Sequence, residues 1–262
     1  RFLREGRLAA ALSHPRSTFV YEAGEHAGQP FIVMELMPGR TLSDVCRDDG
    51  PLPVNRAVDY ILDVIEGLEA AHAAGVIHRD VKPSNCFIDS DGRVKVGDFG
   101  LSKSLVTDST LTRTGAFMGT PLFAAPEQVR GETVDERTDV YAVGATLFYL
   151  IANRGPFTGD AMAVSAQIVS DRAPSLASLV PSVPKDLAAI VARTLEKDPK
   201  GRYASLTELR RGLLPFASGG TSIADVGRRL GAYMIDAMLI GFVTRVPAAI
   251  FGALAGMQAS GW

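Results

Sequence analysis

The chain has 262 residues, with 27 basic and 29 acidic side chains and a formal net charge of -2, a length that buries a core for one large domain or for a domain with an appendage. So balanced a charge excludes a global field for nucleic acid, and any anion must be recognised by a local site. Cys46 and Cys86, the two cysteines, lie in unrelated contexts without metal-ligand spacing, which excludes a disulfide framework and fits reduced thiols in a cytosolic compartment.

Phe2, Leu3, Leu8 and Leu12, set among charges and alanines, predict an amphipathic helix that carries Glu5 and ends before His14-Pro15. Thr18 to Ala23 and Phe31 to Met34 read as strands joined through the turn-rich stretch Gly24 to Gln29. Glu35-Leu36-Met37-Pro38-Gly39 then breaks the second strand and leads to a short helix near Thr41 to Arg47. Between Val54 and Ala74 the residues Ala57, Ile61, Val64, Ile65, Leu68 and Ala71 recur at steps of three and four, a core-facing helix closed by Gly75.

That helix delivers the chain to Val76-Ile77-His78-Arg79-Asp80-Val81-Lys82-Pro83-Ser84-Asn85, a polar loop between apolar segments. Cys86 to Ile88 and Val94 to Val96 follow as short strands around the Asp89-Ser90-Asp91-Gly92 turn, so Asp98 lies just past a strand end. Leu101 to Gly119, rich in Ser, Thr and Gly, predicts a mobile surface loop. Beyond it, Glu136 to Ala152, Asp160 to Ser170, Lys185 to Lys197 and Ser205 to Phe216 read as helices separated by Pro and Gly.

Phosphoryl transfer from a nucleotide needs cations to bridge the phosphates, ligands for those cations, and a base to orient the attacking hydroxyl. Hard Mg2+ takes oxygen ligands and keeps several waters, so the Asp98 carboxylate and the Asn85 amide oxygen suffice as protein ligands. Asp80, on the same loop, would face the hydroxyl, and Lys82 would neutralise charge on the moving phosphoryl group. Each of these residues alone reads as a solvated loop group, and His78 as a core histidine; together they read as a phosphotransfer centre.

The run His-Arg-Asp-Val-Lys-Pro-Ser-Asn from His78, followed by Asp98-Phe99-Gly100 and Ala125-Pro126-Glu127, resembles the protein kinase motifs. Phe31-Ile32-Val33-Met34-Glu35, Asp98 to Lys103 and Gly119-Thr120-Pro121 are similar to runs of the bacterial Hanks-type serine/threonine kinases, over about residues 1 to 216. The resemblance implies an α+β kinase-like fold, with a partial N-lobe of few strands and a mainly helical C-lobe, acting with ATP and Mg2+ (or Mn2+) on protein Ser and Thr hydroxyls. It implies Asp80 as catalytic base, Lys82 as phosphate contact, and Asn85 and Asp98 as metal ligands. It also makes Glu35 and Met37 backbone partners of adenine, with Met34 guarding the back of that pocket, Glu127 an ion-pair partner of Arg202, and Asp139 an anchor for the catalytic loop. Thr112 and Thr114 resemble the paired threonines such kinases autophosphorylate, across a homodimer. A phosphothreonine brings ~1.5 to 2 negative charges, so Arg79 beside the base would pair with it and order the loop.

Glu5 matches the family's helix glutamate, whereas the glycine-rich loop and the strand lysine that pairs with it have no counterpart after Arg1. The expectation is a fragment of an active parent, one that binds ATP weakly and aggregates through an exposed sheet edge. Ala217 to Ser222 reads as a linker, and from Leu230 to Met257 the only charges are Asp236 and Arg245, a stretch long enough for a bilayer core of ~20 residues. Val226 to Asp236 resembles the start of RDD-family membrane domains, so residues 223–262 are expected to begin one. Arg228 and Arg229 ahead of the apolar run then place the kinase domain, residues 1–216, on the cytoplasmic side of a bacterial inner membrane. A pseudokinase scaffold and a regulator of a transporter-like membrane module are the alternative functions.

Overall fold

The computed structural model describes residues 12–27, 29–99 and 121–219. The chain divides into two compact units, 1–218 and 219–262. All but the last residue of the helix predicted over residues 1–12, the loop predicted over residues 101–119 and nearly all of the second unit, with its expected membrane segment, lie outside the described residues. Among the described residues no helix is long and apolar enough to cross a membrane.

Strands β1 (Val20–His26) and β2 (Gln29–Met34) form an antiparallel pair in the register Val20 to Met34 and His26 to Gln29. The turn expected from Gly24 is therefore shorter than the sequence suggests: β1 continues through His26, and the reversal falls at Ala27, whose φ is 50°. Cross-strand pairing over this length outweighs the poor strand propensity of Gly24, which faces Phe31 in the register.

Helix α1 (Leu42–Asp49) begins at Thr41, which accepts from the Asp44 amide while the Asp44 carboxylate accepts from the Thr41 amide, a reciprocal capping box. The long helix α2 (Val54–Ala73) turns Ala57, Val58, Ile61, Val64, Ile65, Leu68 and Ala71 into the core. Its β-branched residues each lose less than about 0.7 kcal/mol of helix propensity, whereas burying each Val or Ile gains about 1.5–3 kcal/mol, so burial decides. Gly67 sits where this helix meets the chain before β1, and a Cβ there would overlap the Arg16 carbonyl oxygen.

A 3-10 turn at Pro83–Asn85 leads into the β3 (Cys86–Ile88) and β4 (Val94–Val96) hairpin. After the undescribed segment come α3 (Pro126–Val129), α4 (Glu136–Ala152), α5 (Ala161–Ser170), α6 (Leu176–Leu179), α7 (Lys185–Thr194) and α8 (Leu206–Leu213). The single-turn helices α3 and α6 carry too few residues to show a period in the sequence. Helix α7 ends three residues earlier than expected, and α8 gives way to a 3-10 turn at Leu214–Phe216, where Pro215 supplies no N–H to continue an α-helix.

Helix α4 is buried on every side and packs against α2, α7 and α8, which is why its sequence shows almost no polar face beyond the first turn. Asp135 caps its start by accepting from the Arg137 amide, and Asn153 ends it in the left-handed region at φ 51°. Gly144 on α4 admits Thr194 of α7, whose hydroxyl occupies the place a Cβ would take. This core is the platform from which the polar loop at His78 to Asn85 is held.

Candidate active site

The loop after α2 is fixed from beneath by Asp139, a fully buried carboxylate on the first turn of α4. Its Oδ1 accepts from the Arg79 amide at 2.8 Å, and its Oδ2 accepts from the His78 amide at 2.9 Å. His72 of α2 adds its Nε2 at 2.7 Å from Oδ2, with Nδ1 at 3.8 Å from Glu136. A buried carboxylate is costly unless its lone pairs are met; here they are met by the loop backbone itself. The reward is conformational: Arg79 is held at φ 66°, in the left-handed region that a long side chain enters only at a cost of order 1–3 kcal/mol.

His78 is fully buried and joins two parts of the site. Its Nε2 lies 2.9 Å from the Gly97 carbonyl and so donates, while its Nδ1 accepts from the Asp80 amide at 3.2 Å. The ring also packs on Phe99, with centroids 4.7 Å apart. Burial pushes the imidazole below its ordinary value of 6.5, against the opposing pull of Asp139 and of the Gly97 carbonyl. The unfolded chain therefore takes up this proton near pH 6.5 and the folded chain only at lower pH. Stability falls as pH drops below that value, by up to about 1.4 kcal/mol per pH unit. The melting temperature of a His78→Gln variant, which keeps a donor without a proton to gain, should decline less steeply than wild type between about pH 7 and 5; equal slopes would refute this.

At the loop's centre the Lys82 ammonium donates to Asp80 Oδ2 at 2.8 Å. Asn85, nine-tenths or more buried, donates its Nδ2 to the Asp80 carbonyl at 2.9 Å and to Asp80 Oδ2 at 3.2 Å. That orientation leaves the Asn85 Oδ1 as an oxygen donor with no protein partner among the described residues. Gly97 donates its amide to the Asn85 carbonyl at 2.9 Å, which brings the next residue, Asp98, alongside. Asp98 is exposed, stands at φ 55°, and its carboxylate likewise meets no partner among the described residues. An amide oxygen and a carboxylate, adjacent and unmet, fit a Mg2+ ion that completes its shell with water and phosphate oxygens.

The hinge segment after β2 offers a different kind of contact. The Glu35 amide donates to the Phe19 carbonyl at 2.7 Å, so only its carbonyl remains for adenine. The Met37 amide has no partner among the described residues. Met34, at the end of β2, is 37% exposed, which leaves it a surface to line a pocket. Glu5, Thr112 and Thr114 lie outside the described residues.

Behind the site, Glu127 and Arg202 form the expected ion pair, bidentate at 2.8 Å for each oxygen and almost fully buried. Three further residues in or beside the site escape a reading of the sequence. Gln128 accepts from the Ala125 amide and donates to the Arg79 carbonyl at 2.7 Å, joining the segment after Pro121 to the loop. His72 supports Asp139, and Lys95 pairs with Glu35 at 2.7 Å. The alternation of Val94, Lys95 and Val96 does signal that Lys95 leaves the core face, but not what it meets there.

A helical body, a two-stranded antiparallel pair, and between them a loop presenting a carboxylate, a lysine and two oxygen donors define a protein kinase domain. The chain belongs to that family, whose protein kinase domain model matches residues 1–211. Over 224 residues it is 39% identical to the serine/threonine-protein kinase PknB of Mycobacterium leprae, covering 84% of this chain and 36% of that protein. It is 40% identical over 225 residues to PknB of Mycolicibacterium smegmatis, with the same coverage of 84% and 36%. It is 37% identical over 235 residues to a probable PknB of Bifidobacterium longum, covering 86% of this chain and 34% of that protein. The chain thus spans about a third of the length of these relatives.

Proposed function

We propose that this domain transfers the γ-phosphoryl group of ATP to Ser and Thr hydroxyls of proteins, in bacterial signalling. The observation that carries it is the Asp80 carboxylate held by Lys82 and Asn85, with Asp98 following the Gly97 amide that donates to the Asn85 carbonyl. The substrate oxygen forms a bond to the γ-phosphorus as the bond to the bridging oxygen of ADP breaks, and Asp80 receives the hydroxyl proton. Lys82, whose ammonium keeps Asp80 oriented, also faces the charge that gathers on the transferred group. Mg2+, held by Asn85 and Asp98, supplies neutralisation of phosphate charge when bound. The relatives named as serine/threonine kinases support the choice of acceptor.

Thr112 and Thr114 are the autophosphorylation sites in this reading, modified across a transient homodimer and then paired with Arg79. Residues 223–262 begin an RDD-like membrane domain that tethers the kinase to the cytoplasmic face of an inner membrane; carbonate-resistant membrane association is the result that supports it. Incubation of the full chain with radiolabelled ATP, Mg2+ and a generic protein substrate, followed by phosphoamino-acid analysis, tests the activity. Phosphoserine and phosphothreonine are expected; label on tyrosine alone, or none, would overturn the reading.

A further inference from the structure

The hinge is tied to the metal-bearing side of the site by one long-range ion pair. Lys95 lies on β4 between Val94 and Val96, both fully buried, so the pleat sends its side chain to the opposite face. There its Nζ donates to Glu35 Oε1 at 2.7 Å, across a separation of 60 residues. The other carboxylate oxygen, Oε2, accepts from the Phe19 amide at 3.1 Å, and the Glu35 amide returns a bond to the Phe19 carbonyl. The chain before Phe19 is itself laid along β4, for the Thr18 amide donates to the Val96 carbonyl and the Val96 amide to the Arg16 carbonyl.

Glu35 is thus committed through its amide and both carboxylate oxygens, while its carbonyl and the Met37 amide meet no partner among the described residues. The side chains of the pair are 28% and 20% exposed, sheltered enough for a charge-assisted hydrogen bond to hold. The Lys95 hydrogen bond, with the Phe19 amide, keeps the Glu35 carboxyl below its ordinary range despite partial burial. The two bonds to Phe19 reach β4 only indirectly, through the backbone pairing of Thr18 and Arg16 with Val96. Lys95 adds a direct tie from β4 to the hinge side chain, and β4 runs directly into Gly97 and Asp98.

We propose that Lys95 is a positioning residue for nucleotide binding, holding Glu35 so that the hinge's two unmet backbone groups keep a fixed distance from the Asn85–Asp98 oxygen pair. The proposal rests on the reading of this site as an ATP site. It predicts that Lys95 acts on the affinity for the adenine nucleotide rather than on the transfer step. The bland role, a pair that only stabilises the fold, would lower melting temperature and kcat with no change in the ATP KM.

The test measures a fluorescent adenine nucleotide with Mg2+ on the full-length protein that contains this chain, alongside steady-state kinetics. Lys95→Met, which keeps the stem and removes the charge, should raise the nucleotide Kd and the ATP KM by about tenfold, with a smaller fall in kcat. Lys95→Arg should recover most of the affinity, and Glu35→Gln should weaken binding partway, with little added by combining it with Lys95→Met. Binding within about twofold of wild type in both Lys95→Met and Glu35→Gln would overturn the proposal while leaving the ATP site intact. A wild-type full-length protein that binds no nucleotide would instead overturn the site itself.

Discussion

Asp80→Asn in the full chain is expected to lower kcat by about 10²–10⁴-fold while leaving the ATP KM near its wild-type value. The substitution is isosteric, so the Asn85 contact to the Asp80 carbonyl and the His78 contact to the Asp80 amide survive. What is lost is the proposed acceptor for the hydroxyl proton and the anion that holds the Lys82 ammonium at 2.8 Å. A charged partner inside a hydrogen-bonded loop cannot be replaced by an amide oxygen of the same shape, because the amide has no basicity at neutral pH. Unchanged melting temperature with lost phosphotransfer is the expected pair of measurements; normal transfer by the variant would defeat the assignment of Asp80.

Arg202→Met is expected to cost about 3–5 kcal/mol of stability, the penalty for removing one partner of a buried ion pair. Every donor of the Arg202 guanidinium is used: Glu127 takes two, and the carbonyls of Arg137, Glu196 and Lys197 take the rest. The Glu127 carboxylate, which burial alone would push up, is held below its ordinary range by Arg202 and also accepts from Thr138. Left without Arg202 it becomes an uncompensated charge some 2% exposed. Against a typical total of about 5–15 kcal/mol the loss is large, and a fall of roughly 10 °C in melting temperature should follow. A Glu127→Leu/Arg202→Met double variant should lose less than Arg202→Met alone, since it buries no charge. A single variant that melts with wild type would refute this account.

The candidate loop is legible in the sequence because the proposed chemistry demands particular residue types close together: Asp80, Lys82 and Asn85 fall within six positions. Helices α2 and α4 are legible for a different reason, α2 through an apolar stripe repeated over several turns and α4 through a long apolar run that begins after a capping aspartate. The supports are not legible, because His72, Lys95 and Gln128 act across 60 residues or on a backbone carbonyl, where no spacing rule applies. Helix α3 and the reach of β1 past Gly24 were hidden likewise, the first by its brevity and the second by pairing that overrides propensity. Glu127 and Arg202, 75 residues apart, were found only through the resemblance to a family.

The Asp139 carboxylate ties the stability of the loop to that of α4. Peeling the catalytic loop from the body would strip both backbone donors from an anion that water does not reach. Local opening of this segment is therefore costlier than that of an ordinary loop, by about 3–5 kcal/mol for the buried charge it would uncover. Heat should then remove activity and fold together, with no temperature range in which the protein stays folded but its catalytic loop has come loose.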